Sequence, residues 1–148
     1  MNFEDKVRSL KASELVLAMV EGLENHKYEV DMETFGTTRE GVCYGCAATN
    51  AIARISGKSP RFTSHISSER TWSKATKATK EFIRTLEFAF NTLRWGDLSV
   101  FNEYANIIQV KEIPVAYGEG LPALHNRTWQ EDLPAYRKLA EQLQKDGL

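Results

Sequence analysis

The stretch EGVCYGCAATNAIARISGKSP, residues 40–60, decides how the fold is interpreted. From Cys43 to Ser56 its apolar residues recur with helical spacing, and alanine supplies most of them. Gly57 stands where a helix C-cap is expected, and Pro60 follows shortly after it. Because small side chains let a neighbouring element approach closely, this stretch predicts a helix at the centre of the molecule.

Working outward, helical periodicity dominates the rest of the chain. Ser13 is the expected N-cap of the first long helix, and the longest helix is expected from about Ser68 to Arg94. The next helix should start at Asp97 or Ser99. The last should start at Asp132 or Leu133, with Pro134 in its first turn. These patterns predict a mainly α fold: a single irregular helical bundle of about five helices, in one domain spanning residues 1–148.

Two segments lack helical spacing and leave room for a short two-stranded β element. Residues 27–35 mix β-branched and aromatic side chains, and residues 109–118 contain a short strand candidate at Ile113–Tyr117. The sequence leaves open whether these two segments pair. The irregular stretch 109–127 is long for a helical bundle, and loops of that length are often functional.

Composition restricts the class of protein. The 148 residues are 42% apolar and 26% charged, as in soluble globular proteins. No apolar run has the length of a membrane span and the N-terminus does not resemble a signal peptide, so we expect a cytoplasmic protein with reduced cysteines and no membrane partner. No glycine loop for phosphate is present, and two cysteines with three scattered histidines do not complete a zinc shell, so we expect no cofactor and no metal.

The net charge of −1 conceals a basic segment, because residues 58–96 carry eight basic and three acidic side chains. Basic residues recur there every three or four positions, along one side of the predicted long helix: Arg70, Lys74, Lys77, Lys80 and Arg84. A solvated helix face is the simplest interpretation. As a binding surface it suits an acidic protein partner better than nucleic acid, because the whole chain is near neutral.

The three tryptophans occupy different kinds of position in the predicted helices. Trp72 lies on the apolar stripe of the long helix and is expected in the core. Trp95 and Trp129 lie near helix breaks, where partial exposure would suit interface anchors, but their spacing equally fits the rim of the core.

Cys43 and Cys46 allow three interpretations. The sequence CYGC resembles the active-site turn of the thioredoxin family, and EIPV at residues 112–115 resembles the segment around that family's cis-proline. This resemblance implies redox activity, with Cys43 attacking and Cys46 resolving a mixed disulfide.

The second interpretation is nucleophilic. A cysteine that opens a helix after Gly-Val is similar to the nucleophile position of papain-like thiol hydrolases. That resemblance implies Cys43 as nucleophile and His125 as base, oriented by Asn126 or Asp132, although His65 is an equally available base. The third interpretation is structural: both thiols fill space beside the alanines, as free cysteine often does. We favour the third.

The leading hypothesis is therefore a small soluble α-rich protein that acts through macromolecular binding, as regulatory, adaptor or inhibitor proteins do. The expected surfaces are the basic side of the 68–94 helix and the loop 109–129, including Trp129. The alternative is a thiol-dependent enzyme that uses Cys43 with Cys46 or His125.

Overall fold

The computed structural model of the chain describes residues 2–57 and 77–148. It confirms a mainly α fold with a small sheet. The helices in these ranges are α1 (Phe3–Arg8), α2 (Ala12–Glu24), α3 (Ala47–Ser56), α4 (Lys77–Arg94), α5 (Leu98–Ile108) and α6 (Trp129–Lys145). The strands are β1 (Glu29–Val30), β2 (Thr37–Arg39) and β3 (Val42–Gly45), and Val115–Gly118 forms a 3₁₀ turn.

Helix α3 lies at the centre of the molecule, as its alanines predict. It packs against α2, α4 and β3, and eight of its ten residues are buried. Gly22 of α2 faces it so closely that an added Cβ would lie 2.7 Å from the carbonyl oxygen of Asn50. The small residues of both helices therefore allow backbone to approach backbone.

Asn50, buried on α3, ties this helix to the chain segments beside it. Its Nδ2 donates to the carbonyl oxygens of Gly45 and Cys46 at 3.2 and 3.1 Å, and its Oδ1 accepts from Tyr28 N–H at 3.4 Å. One side chain thus bonds three backbone groups, two of which, the Gly45 and Cys46 carbonyls, also accept the backbone N–H groups of Asp31 and Asn50.

Three predicted helix starts are wrong. Helix α3 begins at Ala47, with Cys46 as N-cap, because Cys43 belongs to β3; its predicted end at Gly57 is confirmed by a left-handed φ of 70°. Helix α2 begins at Ala12, where the Glu14 carboxylate accepts the Lys11 N–H at 2.9 Å and Ser13 is buried inside the helix. Helix α6 begins at Trp129, which places Pro134 in the helix interior.

The sheet contains three strands in the order β1-β3-β2, parallel between β1 and β3 and antiparallel between β3 and β2. Glu40 and Gly41 form the two-residue connection of the β2–β3 hairpin, with φ of 51° and 78°. Residues 29–30 therefore pair with residues 44–45, and the candidate pairing with 109–118 is not formed.

Hydrogen bonds to a side chain of α5, instead of strand pairing, hold the segment 109–118 in place. Asn102 of α5 holds Ile113 by both of its backbone groups, at 2.9 Å for the Ile113 N–H and 2.8 Å for its C=O. Ile113 is fully buried, and the predicted strand at Ile113–Tyr117 is replaced by the 3₁₀ turn.

The last helix, α6, packs against α2, and the Arg137 guanidinium forms an ion pair with Glu24 at 2.6 Å. Over residues 2–57 and 77–148, no helix has both the length and the apolar character to cross a membrane.

Candidate functional site

The two cysteines occupy different environments and are not near each other, so they do not form a pair. Cys43 lies half-buried on β3, beside Tyr28 and Ala53, with its Sγ 3.6 Å from the Thr38 hydroxyl. The prediction that it opens a helix is wrong. A thiolate at Cys43 would therefore lack the helix N-terminus on which both reactive interpretations depend.

Cys46 does stand at the N-terminus of α3, but it is buried, as the structural interpretation predicts. The Thr49 hydroxyl donates its only proton to the Phe35 carbonyl. Its oxygen lies 3.5 Å from Cys46 Sγ and therefore accepts a hydrogen bond from the Cys46 S–H. Burial is the largest influence on this thiol and raises its pKa. The site thus favours a neutral, unreactive sulfur.

Alkylation of the native protein tests this assignment. We expect iodoacetamide at neutral pH to leave Cys46 unmodified, because burial keeps it protonated and inaccessible, and to label the half-buried Cys43 first. In denaturant both should react at similar rates. Mass spectrometry of tryptic peptides over time measures the two rates, and fast labelling of Cys46 in the folded state would contradict the packing role.

His125, the predicted base, is exposed and lies edge-on to Trp95, with the ring centroids 5.2 Å apart at 77°. In the part of the chain that the structure describes, Cys43 and His125 have different neighbours and no hydrogen bond joins them. The other candidate base, His65, lies outside the described residues. The candidate orienting residue Asn126 accepts the Met32 N–H at 3.1 Å, so it serves the backbone instead.

The predicted basic side of the long helix is described only in part. Arg70, Lys74 and Trp72 lie outside the described residues, as does the Lys77 side chain. Lys80 is half-buried and Arg84 is exposed.

Arg84 extends over an aromatic pair that the sequence interpretation missed. Its guanidinium carbon lies 5.8 Å from the centroid of Phe88, and Phe88 stacks on Tyr104 of α5 at 5.7 Å and 28°. Both rings are half-buried, and Ile107, one helical turn beyond Tyr104, is 69% exposed. We call Lys80, Arg84, Phe88, Tyr104 and Ile107 the Arg84 surface.

The expectation of a partly exposed Trp129 is wrong. This side chain is only 9% exposed, lies in the main core and meets His26 edge-on at 6.4 Å. The partly exposed tryptophan of the described chain is Trp95, which is 44% exposed.

Buried groups beside Trp95 fix its position. The Arg94 guanidinium carbon lies 4.3 Å from its ring centroid, while Arg94 Nη1 donates to the Leu124 carbonyl at 2.9 Å. Burial lowers the pKa of Arg94. The buried Tyr136 hydroxyl lies 2.7–3.0 Å from the carbonyl oxygens of Leu93, Arg94 and Pro122, and so fixes the same backbone. The indole therefore presents a rigid surface.

Beside Trp95 lies an open cleft of about 450 Å³, which we call the Trp95 cleft. Its walls are the turn between α4 and α5 and the 3₁₀ segment after Pro114, formed by Trp95, Gly96, Asp97, Leu98, Ser99, Val115, Gly118 and Glu119. Asp97 is the N-cap of α5, with Oδ1 accepting from Val100 N–H at 3.1 Å.

The comparisons with known proteins add no identity: no family model, curated protein or solved structure matches this chain. Across residues 2–57 and 77–148, no group of three or more His, Cys, Asp or Glu side chains could hold a metal ion.

Proposed function

We propose that this chain acts by binding a protein partner, of regulatory, adaptor or inhibitor type, and that the Arg84 surface receives an acidic segment of that partner. The observation that carries the proposal is the placement of the Arg84 guanidinium over the Phe88 ring, which stacks on Tyr104, one helical turn from the exposed Ile107. Arginine and aromatic side chains of this kind are enriched at protein interfaces and in their hot spots.

Charge favours an acidic segment. Lys80 and Arg84 lie one helical turn apart, and their positive charges would attract carboxylates, while the apolar edges of Tyr104 and Ile107 would pack against apolar side chains between those carboxylates. The positive charges would steer the acidic segment toward the surface, and the apolar contact would exclude water once the segment is bound.

A protein partner suits the surface better than nucleic acid. Phe88 already stacks on Tyr104, so one of its faces is closed to a nucleobase. Glu81 and Glu103 are exposed on the same two helices and would repel a phosphate backbone that tracked along α4. A peptide, unlike a phosphate backbone, can place its carboxylates beside Lys80 and Arg84 and away from Glu81 and Glu103.

Short synthetic peptides that alternate leucine with glutamate, glutamine or lysine test the proposal. In fluorescence anisotropy at low salt, we expect the glutamate peptide to bind at the Arg84 surface and to weaken as salt rises. The double reversal Lys80→Glu with Arg84→Glu should reduce its affinity about tenfold, because two attractive pairs become repulsive.

The matched control reverses Lys138 and Lys145, which are exposed on α6 and change the net charge equally. Equal loss in both double variants would show a non-specific charge effect and reject the Arg84 surface. Stronger binding of a single-stranded oligonucleotide than of the glutamate peptide, lost in Lys80→Glu with Arg84→Glu, would replace the protein partner by nucleic acid. Circular dichroism confirms that each variant is folded.

A further inference from the structure

We infer that the Trp95 cleft is a second binding site, of opposite charge preference, which takes a lysine or arginine side chain from a peptide segment. The aliphatic part of that side chain would pack against Trp95 and Val115, and its charged end would reach the carboxylates of Asp97 and Glu119. This site is separate from the Arg84 surface, and the inference does not rest on it.

The cleft is lined by exposed apolar side chains. Trp95 is 44% and Val115 58% exposed, and both line the same cleft together with the buried Leu98. Exposed apolar side chains that are scattered singly need no explanation, but two that line one cleft beside polar groups are typical of a binding site. Long basic side chains cover such surfaces with their methylene groups.

The titratable side chains that line the cleft are acidic. Asp97 and Glu119 are both exposed, and among residues 2–57 and 77–148 no lysine or arginine lines the cleft, although the buried Arg94 guanidinium lies against the Trp95 ring. The N-terminus of α5 would otherwise attract an anion, but the Asp97 carboxylate already caps it through Val100 N–H. The cleft therefore favours a cation and disfavours phosphate or an acidic peptide.

The walls of the cleft are preorganised, which lowers the entropic cost of binding. Arg94 and Tyr136 fix the wall that contains Trp95. On the other wall, the Tyr117 hydroxyl donates to Asp146 near the end of α6, and Asn102 holds Ile113 just before the 3₁₀ turn. Tyr136 and Asp146 thus anchor the two walls to α6, a helix that does not line the cleft.

The same peptide series tests this site by NMR on ¹⁵N-labelled protein. We expect the leucine–lysine peptide to shift the Trp95 indole N–H and the backbone signals of residues 115–119, and the leucine–glutamate peptide to leave them in place. The double variant Asp97→Asn with Glu119→Gln should bind the lysine peptide about fivefold more weakly and the glutamine peptide with unchanged affinity, because exposed ion pairs contribute modestly. Asparagine caps a helix as well as aspartate does, so the fold is retained.

The double variant Glu103→Gln with Glu112→Gln is the matched control, since both residues are exposed on neighbouring segments, do not line the cleft and change the net charge equally. The inference is overturned if lysine and glutamine peptides bind equally well, if the shifts fall elsewhere, if the glutamate peptide occupies the cleft, or if no peptide of the series binds there. The variant Lys80→Glu with Arg84→Glu should leave this titration unchanged. The two proposals can therefore fail independently.

Discussion

Replacing Asn50 by aspartate is expected to destabilise the fold by about 4 kcal/mol at neutral pH, since burial of a carboxyl raises its pKa by about three units. The substitution preserves shape but turns the donor Nδ2 into an oxygen facing the carbonyls of Gly45 and Cys46. A carboxylate at this position would be repelled by both, and would therefore be driven to take up a proton.

The pH dependence has a definite sign. A buried aspartate has a folded-state pKa above its unfolded value of about 4, so the penalty from its ionisation is absent below that pH and grows as the pH rises toward the folded-state pKa. Urea unfolding at pH 4.5 and pH 7.5 should show a smaller gap from the wild-type free energy of unfolding at the lower pH. Asn2→Asp, an exposed N-cap, is the control and should change little. A loss below 1 kcal/mol at both pH values would contradict the role assigned to Asn50.

The second large effect is expected from Gly22→Ala. Alanine is the better helix former by about 1 kcal/mol, yet we expect a net loss of about 3 kcal/mol in the free energy of unfolding. The added Cβ would lie 2.7 Å from the Asn50 carbonyl oxygen and 2.8 Å from its carbon, both backbone atoms. No side-chain rotation can relieve this contact, so α2 and α3 must separate.

Gly118→Ala provides the comparison for Gly22→Ala. Its Cβ would meet Leu98 Cδ1 at 3.0 Å, and this atom is the end of a side chain that can adjust. Chemical denaturation of the two variants should therefore differ clearly, with the smaller loss at Gly118. Equal losses would mean that the α2–α3 contact tolerates separation.

The helical part of the fold could be predicted because its signals are local. The apolar spacing of 47–55 and the glycine after Ser56 identify α3 and its end. The start was misjudged because the hairpin at 37–45 turns on Glu40, a residue type that rarely adopts a positive φ. Without an Asn-Gly or Asp-Gly signal at this position, the strand that carries Cys43 resembles the beginning of a helix.

The candidate sites were harder to predict, since they depend on contacts between distant residues. The stacking of Phe88 on Tyr104 joins two helices, although the placement of Phe88 four residues after Arg84 was visible in the sequence. Trp95 and Trp129 look alike at helix breaks. Only the packing of α6 separates them, because it buries Trp129 in the core and leaves Trp95 at the surface.

The packing of α6 on α2 has a consequence for synthesis in the cell. The ion pair between Glu24 and Arg137 joins residues 113 positions apart, and the apolar side of α2 is completed by the last helix. During translation the apolar side of α2 therefore remains exposed until residues 129–145 have left the ribosome exit tunnel and α6 can pack on it. We expect ribosome-bound chains stalled before Trp129 to be protease-sensitive, and chains extended past Lys145 by a linker that clears the tunnel to be protected.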